Sequence, residues 1–232
     1  MTAPDEAKKM LLMVAKALRP DLLAEVAFVG GCTTSLLITD EFSLEAARYT
    51  DDVDVIVDIV GQLAWHRFQK LLRQRGFSIS PEDELVCRMR LGELKVDFMP
   101  HDGSILGFTN RWYEMALATA VPYRLSEEVH IRVLTPPLFI ATKLEAYRGR
   151  GNNDPLGSKD IEDILALFDG RSQLVAEILG TEKEIRSYIT EQLESLMENS
   201  NFDYAVQGSV RSDKGREKLI FQRIESLQNI TL

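Results

Sequence analysis

The chain has 232 residues, of which 45% are hydrophobic and 27% charged, proportions expected of a soluble globular protein with one large domain or two small ones. Acidic residues outnumber basic ones 36 to 27, and the net charge of −9 argues against nucleic-acid binding driven by overall charge while leaving room for a local basic patch. No apolar run reaches the ~18 residues of a membrane span, and the opening MTAPDEAKKMLLMVAKALRPD places Asp5 and Glu6 before a stretch broken by Lys16 and Arg19, unlike a secretory signal; the expected compartment is the cytoplasm, with no membrane partner.

Met10, Leu11, Val14, Ala15 and Leu18 fall at helical spacing, which predicts an amphipathic helix over residues 7–18 ended by Pro20. An apolar strand over 26–29 then meets Gly30-Gly31, where the backbone turns sharply and leaves room for a ligand. Thr33, Thr34 and Ser35 open a helix whose N–H groups and hydroxyls suit an anion such as phosphate. The next strand, Asp52-Val53-Asp54-Val55-Ile56-Val57, alternates, so Asp52 and Asp54 share one sheet face while Val53, Val55 and Val57 point to a core. Two adjacent carboxylates repel unless a cation lies between them, and oxygen-only ligation suits Mg²⁺ or Mn²⁺; a solvated sheet face is the plainer alternative.

Residues 62–75 form a further helical pattern stopped by Gly76, with Arg67, Lys70, Arg73 and Gln74 towards one face. A solvated face is the ordinary reading of that stripe, and a nucleic-acid contact the other. Residues 85–99 alternate on either side of Gly92-Glu93, the signal of a hairpin with a two-residue type II′ loop. Counting from that loop pairs Leu91 with Leu94, Arg90 with Lys95, Met89 with Val96 and Arg88 with Asp97. Asp97, flanked by Val96 and Phe98, is either a third metal carboxylate or the partner of Arg88. Arg90 facing Lys95 is either a polyanion contact or a pair on a solvated face.

Residues 110–120 are predicted helical, and 129–134 a strand. Thr135, Pro136 and Pro137 then open a helix over 138–148, with Lys143, Tyr147 and, by extension, Arg150 on one face. Ser158 caps a helix in which Asp160 and Asp163 lie one turn apart, and the remainder is helical over 181–199, with a capping box at Thr181 and Glu184, and over 213–229. The fold class is therefore α+β, a mixed sheet with flanking helices over 1–135 followed by a helical bundle over 136–232. Cys32 and Cys87 lack the number and spacing of a disulfide framework or zinc site and read as free thiols; His66, His101 and His130 are scattered.

In this order, Gly30-Gly31, Asp52-Val53-Asp54 and Asp97 on a separate strand resemble the signature of the DNA polymerase beta nucleotidyltransferase superfamily. Within it, Arg48-Tyr49-Thr50-Asp51-Asp52-Val53-Asp54, Lys143-Leu144-Glu145-Ala146 and Lys159-Asp160-Ile161-Glu162-Asp163 are similar to the AbiEii-type nucleotidyltransferases, which include the toxin halves of bacterial toxin–antitoxin systems. Cys32 stands where that family has Ser or Thr, and Lys159 where it has Arg.

The resemblance, which spans residues 26–167, implies a nucleotidyltransferase-like sheet and a helical domain completing a nucleotide cleft. It implies Mg²⁺ (or Mn²⁺) held by Asp52, Asp54 and Asp97, with Lys143 and Asp160 joining them as catalytic residues. Nucleotide contacts would come from Gly30, Gly31, Thr33, Thr34, Arg48, Lys143 and Lys159. The implied reaction moves a nucleotidyl group from an NTP to a hydroxyl of tRNA or protein, and a cognate antitoxin would be a partner. The rivals are a non-catalytic nucleotide- or partner-binding protein of the same fold and a D-x-D glycosyltransferase.

Overall fold

The computed structural model describes residues 2–228; Asn229, the last residue of the predicted terminal helix, lies outside them. In chain order the elements are α1 (Ala3–Leu23), β1 (Val26–Val29), α2 (Gly31–Leu37), α3 (Glu41–Glu45), β2 (Asp52–Val57), α4 (Gln62–Gln74), β3 (Phe77–Ser78), β4 (Arg88–Leu91), β5 (Leu94–Pro100), α5 (Gly103–Leu106), α6 (Tyr113–Ala118), β6 (Val121–Arg124) and β7 (His130–Val133). Helices alone follow: α7 (Pro136–Arg150), α8 (Lys159–Gly170), α9 (Leu174–Gly180), α10 (Lys183–Met197), α11 (Phe202–Ser209) and α12 (Lys214–Gln228). No described helix is long and apolar enough to cross a membrane.

The chain is α+β and divides into two units. Met1–Thr33 with Tyr49–Thr135 form one, and Thr34–Arg48 with Pro136–Leu232 form the other. One boundary between the units follows Thr135, and segment 34–48 is counted in the second unit. Hydrogen bonding accounts for that. The amides of Thr39 and Asp40 both donate to the Gly170 carbonyl at 2.9 Å, and Arg216 bonds Asp40 and Asp169 at 2.8 and 2.7 Å. None of these partners is near in sequence, so no local pattern announces them.

In the first unit a seven-stranded mixed sheet runs in the order β3-β4-β5-β2-β1-β7-β6. β2 is antiparallel to β1 and parallel to β5. Val53, Val55, Val96 and Phe98 are fully buried, and Phe68 of α4 meets Phe98 edge-on at 5.7 Å between ring centroids. α4 therefore covers the apolar sheet face, the one opposite to Asp97, because alternate strand residues point to opposite sides. In the second unit α8 supplies Ile161, Ile164, Leu167 and Phe168 to a core shared with Phe139 and Ile140 of α7 and Ile189 of α10.

Several boundaries differ from the sequence reading. Pro20 kinks α1 instead of ending it: Arg19 before it leaves the helical region (φ 61°) and the helix resumes to Leu23. The start is earlier too, because Thr2 and Asp5 form a capping box around Pro4. The hairpin's first arm begins at Arg88, while Leu85 and Val86 are exposed and precede it in a turn. Helix α6 is shorter than 110–120, since Asn110 makes a turn by accepting from the Trp112 amide through its side chain. The capping box at Thr181 is absent, with α10 beginning at Lys183 after Glu182 and no side-chain cap. Strands β3 and β6, two and four residues long, were not anticipated.

Candidate metal centre

Asp52 and Asp54 project from one face of β2 and are half-buried, while Val53 and Val55 are fully buried on the other. The register carries this parity across the sheet. Asp54 lies beside Asp97 of β5, Asp97 lies opposite Arg88 of β4, and Val29 of β1 flanks Asp54 on its other side. The hairpin is paired as counted from its loop, with Gly92 at φ +62° as a type II′ turn requires.

The diglycine turn completes this row. Gly30, directly after Val29, has φ +77°, and a Cβ there would collide with Asp54 Oδ2. Any other residue would both strain the backbone and displace the carboxylate. Oxygen atoms of Asp52, Asp54 and Asp97 lie within 4.8 Å of one another.

Arg88 holds this cluster. Its Nε donates to Asp97 Oδ1 at 2.7 Å and its Nη2 to Asp97 Oδ2 at 2.8 Å. The same Nη2 donates to Asp52 Oδ2 at 3.3 Å, and Thr50 Oγ1 donates to Asp52 Oδ1 at 2.8 Å. The hydrogen bonds to Asp97 raise the pKa of Arg88, outweighing burial, which acts the other way. The fork geometry makes this a strong, oriented pair. Asp97 is thus both a member of the cluster and an arginine's partner, so the two sequence alternatives coexist.

The donor set fits a divalent hard cation. All three groups offer carboxylate oxygens close together, the site is partly open through Asp52 and Asp54, and the glycine turn keeps side-chain bulk away. A cation would be held by Asp52, Asp54 and Asp97. Arg88 occupies two of them, so metal binding and the Arg88 clamp compete for the same oxygens.

The glycine turn leads directly into a helix. Helix α2 begins at Gly31 itself, and the Thr33 hydroxyl donates back to the Gly30 carbonyl at 3.0 Å. The Thr34 hydroxyl is buried without a hydrogen-bond partner among the described residues. Arg90 and Lys95 face each other as counted, yet each has its own acid: Arg90 bonds Asp83 at 2.7 and 2.8 Å, and Lys95 bonds Asp51 at 2.8 Å.

The remaining predicted residues meet within the second unit. Lys143 of α7 lies 2.6 Å from Asp163 and 3.2 Å from Asp160. Arg48 grips Asp163 with two bonds of 2.8 Å, and Arg150 grips Asp160 with two of 3.0 Å. Burial pushes both carboxyls up, but the Lys143 charge and the arginine hydrogen bonds outweigh it and leave both below the ordinary value. Lys159 is exposed at the start of α8. Asp163 is the hub that the sequence did not reveal, although its place one turn after Asp160 was the available signal.

A cavity of about 680 Å³ lies at the far ends of β2 and β5, lined by Asp58, His101, Glu114 and Arg132 among others, with His101 Nε2 3.0 Å from Asp58 Oδ1. The carboxylate cluster is not part of it. Both cysteines are free and buried, and burial, with Asp97 adding to it, pushes the Cys87 thiol up to about 12. No known protein-family model and no curated protein matches the chain.

Proposed function

We propose that the chain is a metal-dependent nucleotidyltransferase similar to the AbiEii-type members of the DNA polymerase beta superfamily, with a nucleotidyltransferase-like sheet followed by a C-terminal helical bundle. The observation that carries the proposal is the registered row of Asp54 and Asp97 on adjacent parallel strands, with Asp52 two residues away and Asp54 seated against Gly30. Adjacent like charges destabilise a sheet. A fold that aligns them, clusters their oxygens and keeps a glycine beside them has a use for a cation.

A divalent ion held by Asp52, Asp54 and Asp97 would supply charge neutralisation for the transferred phosphoryl group and the leaving pyrophosphate. The acceptor hydroxyl oxygen forms a bond to the α-phosphorus, and the bond from that phosphorus to the bridging oxygen breaks, its electron pair leaving with pyrophosphate. Asp97 takes the acceptor's proton once Arg88 has released one of its oxygens. Arg88, freed from the carboxylates, is then a bidentate donor available to phosphate. Gly30 and Gly31 leave the adjoining backbone without side-chain bulk. The acceptor class is tRNA or protein, and a cognate antitoxin belongs to the same reading.

The Arg88 clamp also favours a second reading, a nucleotide- or partner-binding protein without catalysis, because the clamp keeps the carboxylates assembled without metal. Incubating the protein with each labelled NTP, Mg²⁺ and total cell extract decides between them. Transfer of label to one fraction, abolished by EDTA and by Asp54→Ala, supports the enzyme. Label uptake unchanged by Asp54→Ala refutes the assigned centre, and metal-dependent NTP binding without transfer supports the second reading.

A further inference from the structure

We propose that the exposed face of α4 is a docking surface for the phosphate backbone of a nucleic acid. Among the described helices of eight residues or more, α4 alone carries no Asp or Glu, in a chain whose net charge is −9. His66, Arg67, Lys70, Arg73 and Gln74 are all exposed. At 100° per residue they fall within about one third of the helix circumference. The side chains of Arg67, Lys70 and Arg73 make no ion pair or hydrogen bond among the described residues. The cation just beyond them, Arg75, is spoken for, pairing with Asp21 and with the Leu18 carbonyl.

Several other cations of the first unit do have structural partners. Arg88, Arg90 and Lys95 each hold a carboxylate, and Arg132 holds the carbonyls of Ala24 and Leu117. The α4 cations have no such duty, and three cations on one helix face, with no acid on that helix, complement a polyanion. A lipid surface fits less well. Membrane-lying helices insert an apolar face, whereas Trp65 and Leu72 of α4 are buried, Phe68 packs on Phe98, and Leu63 is its single exposed large hydrophobic. A phosphate backbone needs only the exposed cations, at the i, i+3 spacing that Arg67, Lys70 and Arg73 provide.

This surface does not rest on the transferase reading. Binding is measured without nucleotide or metal, so its failure leaves the metal centre untouched, and failure of the metal centre leaves it untouched. The experiment titrates the full chain into a labelled RNA hairpin and, separately, a DNA duplex of the same length, by fluorescence anisotropy across a salt series. Three phosphate contacts predict a log–log salt slope of about −2 to −3 for the wild type. The triple variant Arg67→Gln, Lys70→Gln, Arg73→Gln should bind at least about tenfold more weakly at low salt and lose most of that slope.

A control triple variant in α1, Lys8→Gln, Lys9→Gln, Lys16→Gln, removes equal charge from exposed positions and should bind as the wild type does. Binding to the hairpin alone or to both ligands supports the surface and identifies the backbone it takes. Wild-type affinity in the α4 variant, equal losses in both triple variants, absence of binding to either nucleic acid, or capture by phosphatidylserine vesicles without nucleic-acid binding overturns it.

Discussion

Two acidic clusters in this molecule are built alike in composition and differ in how their charge is balanced. In the second unit Asp160 and Asp163 are buried, and three cations grip them: Lys143 touches both, Arg48 holds one and Arg150 the other. In the first unit Asp97 shares a single arginine with Asp52, and Asp54 stands beside them against a bare glycine backbone. The former resembles a structural ion network that ties α7, α8 and the 34–48 segment together. The latter is an assembly of carboxylates that a divalent cation would complete. Both perturb the groups around them, so perturbation alone does not mark a functional site; the balance of charge and the openness of the cluster do.

The contrast is broken most severely at Asp163. Asp163→Ala leaves Lys143 and Arg48 without one of their buried partners, and removal of one partner from such a network costs about 3–5 kcal/mol. Chemical denaturation should show this loss with metal present or absent. Arg88→Gln should behave differently. It should destabilise the metal-free protein by about 1.5–3 kcal/mol, the usual worth of hydrogen bonds to charged groups, and a saturating divalent ion should restore part of that loss. Equal loss with and without Mn²⁺ would contradict the shared use of these oxygens.

Gly30→Ala comes next, with about 1–3 kcal/mol for the strained backbone and weakened metal affinity from the displaced Asp54; retention of wild-type Mn²⁺ affinity would count against the seat described for Asp54. Acid should weaken the second-unit network. Asp160 and Asp163 have folded-state pKa values below the ordinary 3.8, so their stabilisation is fully present above that value and drains as the pH falls through the lower folded-state values. Asp163→Asn should flatten the wild-type stability curve in that range. Smallest of all, Lys95→Ala removes an exposed pair with Asp51 and should change stability by about 0–1 kcal/mol.

What the sequence disclosed and what it withheld divide along physical lines. The strand alternation of 52–57 and the loop at Gly92-Glu93 are local, so parity and hairpin register can be counted, and the count alone places Arg88 opposite Asp97. The lateral alignment of Asp54 with Asp97 could not be counted, because β2 and β5 are joined by a long crossover and their register depends on the packing of α4 between them. Asp83 as the partner of Arg90 was equally hidden, since it sits in the loop before β4. The grouping of segment 34–48 with the helical half was hidden for a similar reason: its ties to Gly170 and Arg216 join residues more than a hundred positions apart.

Titration of the full chain with Mn²⁺, followed by the loss of the free-ion electron paramagnetic resonance signal, tests the central claim most directly. The account predicts binding by the wild type, weakened at least about tenfold in Asp54→Asn and in Asp97→Asn by the loss of a ligand, in line with other changes around metal sites. It predicts no weakening in Asp160→Asn, whose carboxylate is paired with Lys143 and Arg150. Wild-type Mn²⁺ affinity in both Asp54→Asn and Asp97→Asn would contradict it.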